Sequence, residues 1–278
     1  MILIALSISF LGLSIYKNQG KTSFIENKIH LIKKDFKSYP YFFMENKLES
    51  IDDLSYSEDE SKRKILILGD SHARDLTRVL KGYNQILKSK NLKIENDFSF
   101  VEFSKIHMEK NSELFKISKQ ADHVFLSRQF TSEKKQFKKI SKLINFFNEN
   151  KIRSTLVGSA VEFYTAEDDL LLTFILQNKE NLKFLENMNI EKINSYFYFN
   201  LKTYLFNTNN ELKKISNKYD ISFLNRFDFT CDIKNKLCFS LDDSGKKLFM
   251  DYSHFTTAGI DFFAQIVYEL NWLSKINF

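Results

Sequence analysis

Short apolar runs alternate with amphipathic helical segments along most of this 278-residue chain. The runs that we predict to be strands are KILILG (64–69), FSFVEF (98–103), HVFLS (123–127), RSTLVGS (153–159) and DISFLN (220–225). Helical spacing follows them over 72–88, over 131–150 with Thr131 or Ser132 as the cap, over most of 165–220, and over 257–276 with the lone Trp272. This alternation predicts a parallel, doubly wound α/β sheet, in which ligands bind at the carboxyl ends of the strands.

Composition narrows the possible partners of this domain. Hydrophobic residues make up 43% of the chain and charged residues 27%, which is enough apolar material for a substantial core. The net charge of +6 permits an acidic partner such as an anionic glycan or a membrane surface. Lysine and glutamate are interspersed without a basic block, so we do not predict nucleic-acid binding.

The N-terminal stretch ILIALSISFLGLSIY (residues 2–16) carries no charge and has four interpretations. It is short for a membrane span, which takes about 20 residues. A signal peptide is the second interpretation, although no basic residue precedes the run and no clear cleavage site comes after it. It could also be a buried helix, or Met1 could lie within the last membrane helix of a longer protein. We predict a transmembrane or signal-anchor helix over 1–16, a linker or collar over 17–62, and the α/β domain over 63–278.

The sequence GDSH at the end of the first predicted strand presents a serine at a strand-to-helix turn. One interpretation is structural: Asp70 or Ser71 caps the helix and does nothing more. The other is chemical. A hydroxyl at a helix start can attack a carbonyl carbon while its own main-chain N–H faces the developing oxyanion.

A nucleophilic serine needs a base, and the base needs a group that orients it. Near the C-terminus, Asp251 and His254 form a D-x-x-H motif just before the last predicted helix. One turn of chain can bring the carboxylate to the ring nitrogen that faces away from the serine. The alternative is that Asp251 caps the final helix and His254 is a surface residue.

The GDSH and D-x-x-H motifs together resemble the SGNH (GDSL-like) hydrolase superfamily, and more narrowly the SGNH domain at the C-terminus of membrane acyltransferase family 3 proteins. VGSAVEF (157–163) resembles a V-G-P-x-P-E-F-like stretch of that group, without its prolines. The resemblance covers roughly residues 63–278. It implies a three-layer α/β/α, flavodoxin-like sheet, with Ser71 as nucleophile, His254 as general base and Asp251 as its orienting group.

The oxyanion donors of the wider superfamily, a glycine after the second strand and an asparagine after the third, are absent from this sequence. The main-chain N–H of Ser71 is one expected donor, and Arg128 or Gln129 is a candidate for another, although Arg128 could equally be a solvated loop charge. Asp70 belongs to the same predicted pocket, and His72 either lines it or packs.

The two cysteines, Cys231 and Cys238, bracket a turn shortly before the D-x-x-H motif, as is common in the family that the chain resembles. In an oxidising compartment they could form a disulfide, and in the cytosol they would be two buried thiols. An oxidising compartment conflicts with Lys17 and Lys21, which favour a cytoplasmic location for the chain beyond them. No cysteine or histidine cluster has metal-ligand spacing, so no metal and no cofactor is expected.

The leading hypothesis from the resemblance is an extracytoplasmic O-acyltransferase, tethered by residues 2–16 at the periplasmic face of the inner membrane. It would transfer an acyl group, expected to be acetyl, through Ser71 to a hydroxyl of a surface glycan. An integral-membrane partner or a missing N-terminal domain would deliver that acyl group. The alternatives are an esterase or carbohydrate deacetylase that uses water as acceptor, and a catalytically weak glycan-binding remnant.

Overall fold

The computed structural model describes residues 59–103, 112–164, 190–242 and 246–276. The predicted membrane segment 1–16 and the collar up to residue 58 lie outside these ranges, as does the predicted helical region over 165–189. Within the described ranges, no helix is both long and apolar enough to cross a membrane.

Five parallel strands form the central sheet. They are β1 (Arg63–Gly69), β2 (Asn96–Glu102), β3 (His123–Leu126), β4 (Ser154–Val157) and β5 (Ser222–Leu224). Each overlaps one of the five apolar runs in the sequence. The order across the sheet is β2-β1-β3-β4-β5, which is the flavodoxin-like order of a doubly wound sheet. The predicted parallel α/β sheet is therefore confirmed.

Helices cover both faces of the sheet. They are α1 (Ser71–Ser89), α2 (Glu113–Gln120), α3 (Lys134–Glu149), α4 (Ile190–Phe199), α5 (Tyr204–Lys218), α6 (Phe227–Thr230) and α7 (Thr257–Glu269), followed by a 3₁₀ turn at Trp272–Lys275. Leu66 and Leu68 of β1 pack in one apolar cluster with Ile144 of α3. Ile65 and Ile67 point to the opposite face, where α1 packs against α7. These layers confirm the predicted three-layer α/β/α architecture.

Two predicted helix boundaries are wrong. The helix over 131–150 begins at Lys134, and Glu133, in an extended conformation with φ −69° and ψ 120°, holds the N-cap position without a side-chain cap bond. Ahead of it, Oε1 of Gln136 accepts from Thr131 N–H at 3.0 Å, and neither Thr131 nor Ser132 is the cap. The last helix ends at Glu269, well before residue 276. Asn271 there adopts a left-handed conformation with φ 46°, which ends the α-helix before the 3₁₀ turn.

The first strand ends on glycine because two main chains approach each other closely at that point. A Cβ atom on Gly69 would lie 1.5 Å from the carbonyl oxygen of Ser127, which comes directly after β3. The neighbouring main-chain bond from Ser127 N–H to Leu68 O, at 2.9 Å, holds the two chains in this register. The residue after β1 is thereby placed directly against the residues after β3.

A disulfide hairpin precedes the D-x-x-H segment. Its strands are β6 (Cys231–Asp232) and β7 (Leu237–Cys238), and the two cysteines are paired across it by a disulfide. From this hairpin the chain continues to Ser240, whose carbonyl accepts from Leu248 N–H at 2.9 Å. Leu248 O in turn accepts from Thr256 N–H at 2.9 Å. The hairpin is therefore connected by main-chain hydrogen bonds to the segment that carries Asp251 and His254.

We expect replacement of both Cys231 and Cys238 by serine to lower the free energy of unfolding by about 2.5 kcal/mol, because the disulfide restricts a short loop in the unfolded chain. Urea denaturation of the full chain, followed by far-UV circular dichroism, measures the difference. Dithiothreitol should lower the wild-type midpoint and leave that of the double variant unchanged. Equal wild-type midpoints with and without reductant would show that the disulfide contributes nothing to stability.

Candidate active site

Ser71 is the first residue of α1, at the carboxyl end of β1, which lies between β2 and β3 in the sheet. The N–H groups of a helix's first turn have no partner within the helix, and the helix dipole makes this end positive. Asp70 caps the helix: its Oδ1 accepts from His72 N–H at 3.1 Å, while its Oδ2 accepts from Gln129 N–H at 2.9 Å. The capping function of the alternative interpretation thus belongs to Asp70, and the Ser71 hydroxyl is engaged elsewhere.

The structure brings Ser71, His254 and Asp251 together in a hydrogen-bonded line. Oγ of Ser71 lies 2.9 Å from Nε2 of His254, although 183 residues separate them in the chain. Nδ1 of His254 lies 2.8 Å from Oδ2 of Asp251. With the Nδ1 proton donated to the carboxylate, Nε2 is free to accept the proton of the serine hydroxyl.

The D-x-x-H segment is a tight turn held by its own carboxylate. Oδ1 of Asp251 accepts from the main-chain N–H groups of Ser253 and His254, both at 2.7 Å. The final helix is capped instead by Thr256, whose hydroxyl accepts from Gly259 N–H at 2.9 Å. Asp251 therefore does not cap α7, and both of its oxygens serve to place His254.

Asp251 and His254 shift each other's pKa values in opposite directions. Burial by itself raises the pKa of Asp251, but hydrogen bonds from His254 and from the main chain outweigh it and lower the pKa to about 2. Burial by itself lowers the pKa of His254, but the adjacent carboxylate of Asp251 outweighs it, so the pKa is raised above its ordinary value. The pair can hold a proton on the imidazole without protonating the carboxylate.

His72 packs flat against the imidazole of His254. The two ring centroids are 4.4 Å apart and the ring planes are within 6° of parallel. Burial, followed by the proximity of His254, lowers the pKa of His72 to about 4, so this ring stays neutral when its neighbour takes up a proton. His72 therefore packs against the ring of His254.

Two buried charged residues lie close to His72 and His254. No sequence motif indicated either of them. Asp75, one turn beyond Ser71 on α1, accepts from Phe255 N–H at 3.2 Å through Oδ2 and so connects α1 to the His254 segment. Arg226, after β5, is 1% exposed and donates through a terminal guanidinium nitrogen to the carbonyl of His72. The i, i+4 spacing of Ser71 and Asp75 on one helix was an available signal for Asp75. Nothing in the local sequence indicated Arg226.

Arg128 and Gln129 come after β3 and lie beside the helix cap. Nε of Arg128 is 4.0 Å from Oδ2 of Asp70. The side-chain amide of Gln129 donates to Oε2 of Glu162 at 2.9 Å, in addition to its main-chain bond to Asp70. Glu162 belongs to the VGSAVEF stretch, and its position after the fourth strand, at the ligand-binding edge, was the available signal for it.

Among the residues that the structure describes, no group of three or more histidine, cysteine, aspartate or glutamate side chains could hold a metal ion. The hydrogen-bonded line supplies a hydroxyl, an imidazole and a carboxylate, the groups that can act as nucleophile, base and orienting group. The arrangement can therefore support attack of a serine on an acyl carbonyl.

A family model and several solved structures are similar to this chain. A family model described as "SGNH domain (fused to AT3 domains)" matches residues 42–269. Similar solved structures include the periplasmic domain of a lipopolysaccharide acetyltransferase from Salmonella ser. Paratyphi A, with 16% identity over 76% of this chain and 84% of that one and a TM-score of 0.54. A second similar structure is an acetyl xylan esterase, with 16% identity over 74% of this chain and 98% of that one and a TM-score of 0.43. A third is a GDSL-like lipase from Bacteroides thetaiotaomicron, with 12% identity over 79% of this chain and 92% of that one and a TM-score of 0.38.

No curated protein sequence matches the chain. The family model nevertheless covers most of its length, and the fold agrees with that of a solved acetyltransferase domain. The chain therefore belongs to the family of SGNH domains that are fused to AT3 domains, and it is a serine acyl-transfer or esterase enzyme of the SGNH type.

Proposed function

We propose that this protein is an extracytoplasmic O-acyltransferase that moves an acyl group, expected to be acetyl, through Ser71 to a hydroxyl of a cell-surface glycan. The observation that carries the chemistry is the hydrogen-bonded line Ser71–His254–Asp251, with contacts of 2.9 and 2.8 Å, at the start of a helix. Transfer to a glycan is supported by the family description, which couples such domains to AT3 domains, and by the fold shared with a lipopolysaccharide acetyltransferase domain.

The first half-reaction forms an acyl-serine. Ser71 Oγ attacks the carbonyl carbon of the donor while His254 Nε2 accepts its proton, and Asp251 stabilises the resulting imidazolium. The negative charge on the tetrahedral intermediate faces the N–H groups of the first turn of α1. Collapse of the intermediate leaves the acyl group on Ser71, and the proton passes from His254 to the departing group.

The second half-reaction uses the same base. His254 removes the proton of an acceptor hydroxyl, and the oxygen attacks the acyl-serine carbonyl to give a second tetrahedral intermediate. When it collapses, the acyl group is on the acceptor and the proton returns to the Ser71 oxygen. A glycan hydroxyl as acceptor gives transfer and water gives hydrolysis, so the choice lies in which molecule reaches the acyl-serine.

A location and a partner belong to the same proposal. The disulfide between Cys231 and Cys238 supports an oxidising compartment, which we take to be the periplasmic face of the inner membrane. Residues 1–16 would be the membrane segment, 17–62 the collar and 63–278 the catalytic domain. An AT3-type integral-membrane domain would deliver the acyl group.

We expect Ser71→Ala to abolish acetate release from an activated acetyl ester, because it removes the nucleophilic oxygen of the hydrogen-bonded line. The assay compares the full-length wild type and variant in detergent, with and without candidate surface oligosaccharides. Mass spectrometry should find an acetyl group on Ser71 in the wild type and acetylated sugar only when the acceptor is present. If acetate is released but no acetylated sugar forms when oligosaccharides are present, the protein is instead an esterase. A folded wild type as inactive as the variant would favour the glycan-binding remnant.

We expect kcat/KM of the wild type to rise with pH through an apparent pKa above about 6.5, because His254 must be neutral to accept the serine proton and Asp251 raises its pKa. In Asp251→Asn this rise should move to lower pH, and kcat should fall by about 10³- to 10⁴-fold. A pH–rate series with the activated ester measures both. An unchanged profile in the variant would show that Asp251 does not act on the base.

We expect His72→Leu to lower kcat about tenfold and His72→Phe to lower it less than about threefold, because only a flat ring maintains the stack that orients His254. Steady-state kinetics with the activated ester measures both variants, and thermal unfolding checks that each is folded. Equal losses in the two variants would assign His72 a role other than stacking.

A further inference from the structure

Glu162 is the acidic residue of the VGSAVEF stretch, and its side chain is 12% exposed. Three donors from three different residues converge on its carboxylate. Gln129 Nε2 donates to Oε2 at 2.9 Å, Lys202 Nζ donates to Oε1 at 2.5 Å, and the Tyr204 hydroxyl donates to Oε2. The carboxylate is therefore the centre of a cluster, which we call the Glu162 cluster: Gln129, Glu162, Lys202 and Tyr204.

The Glu162 cluster keeps its carboxylate ionised. Burial alone raises the pKa of Glu162, but the hydrogen bonds from Lys202 and Tyr204 outweigh it and lower the pKa. Burial, together with the bond to the carboxylate, raises the pKa of Tyr204, so its proton stays on the phenol. Each donor thus has an ionised acceptor, and charge-assisted bonds of this kind are shorter and stronger than neutral ones.

One side of the Glu162 cluster leads to the nucleophile. The Gln129 side chain is held by Glu162, and its main-chain N–H donates to Oδ2 of Asp70 at 2.9 Å. The other oxygen of Asp70 caps the helix that begins at Ser71. Gln129 and Asp70 therefore connect the Glu162 carboxylate by hydrogen bonds to the turn that presents Ser71.

The other side of the Glu162 cluster leads to the base. Phe163, the residue after Glu162, donates its main-chain N–H to the carbonyl of Tyr252 at 3.0 Å. The Lys202 ammonium lies 5.4 Å from the centre of the Tyr252 ring. Tyr252 comes directly after Asp251 and precedes His254 by two residues. The same cluster is therefore attached to the turn that presents the base.

We propose that Glu162 is a positioning residue for the acyl-transfer reaction. Its carboxylate fixes the Ser71 turn and the Asp251–His254 turn relative to each other, so that the serine and imidazole stay within hydrogen-bonding distance through both half-reactions. This inference rests on the proposed function, because it assigns Glu162 a role only if Ser71 is the nucleophile. It gives the VGSAVEF stretch a purpose in catalysis without contact to substrate.

The test replaces Glu162 by glutamine in the full-length protein. Glutamine preserves the size of the side chain, but it replaces one acceptor oxygen by an NH2 group that is itself a donor, so the three donors can no longer all be satisfied. We expect kcat with the activated acetyl ester to fall about 10- to 100-fold, with KM changed less than about threefold, because misalignment of reacting groups acts on the chemical step. The rate at which a fluorophosphonate probe labels Ser71 should fall in parallel.

Glu211→Gln is the matched control. Glu211 also forms a close ion pair with a lysine, to Nζ of Lys214 at 2.6 Å, but the pair is exposed on α5. The same chemical change there should leave kcat and the labelling rate within about twofold of wild type, because exposed ion pairs contribute little. Circular dichroism and thermal unfolding check that both variants are folded at the assay temperature.

The outcomes separate this inference from the proposed function. Selective loss of kcat and of labelling in Glu162→Gln, with the control unaffected, supports it. A folded Glu162→Gln that labels and turns over like wild type, even with a lower melting temperature, overturns it and leaves the proposed function intact. A wild type that neither labels nor turns over overturns the proposed function and this inference together.

Discussion

The packing of α1 against α7 is the constraint on which the site depends, because it brings together two groups that are 183 residues apart in the chain. Ser71 begins α1, and His254 lies just ahead of α7. The buried carboxylate of Asp75 secures this approach by accepting a main-chain N–H from Phe255. A slip between the two helices would therefore change the distance between the hydroxyl and the imidazole.

Carboxylates hold this site together by binding main-chain N–H groups at the ends of elements. Asp70 binds two of them, Asp251 binds two, and Asp75 binds one. Asp75 is buried, and the side chains of Asp70 and Asp251 are about a quarter exposed. A carboxylate removed from water is costly unless its oxygens accept hydrogen bonds, so these main-chain donors must be placed accurately. Rigidity at the site thus comes from directional bonds to the backbone, while the apolar layers on either side of the sheet supply most of the stability.

Local patterns were sufficient to predict the sheet and the residues of the hydrogen-bonded line, but not the environment of that line. The five strands are short apolar runs bounded by turns, and GDSH and D-x-x-H are contiguous motifs, so each could be recognised within a few residues. The predicted start of α3 is wrong because Thr131 and Ser132 are preferred cap residues, whereas the N-cap position is held by Glu133 without a side-chain hydrogen bond. The stacking of His72, the approach of Arg226 and the cluster around Glu162 join segments distant in sequence, and no single segment carries their signal.

The length of β1 separates the two edges of the sheet. Its seven residues run from Arg63 to Gly69, two residues before Ser71. At about 3.3 Å per residue, the strand spans roughly 20 Å. Residues 59–62, which precede the strand, therefore lie at the edge of the sheet opposite Ser71. A fluorescent label placed on them would report on the domain without entering the candidate site.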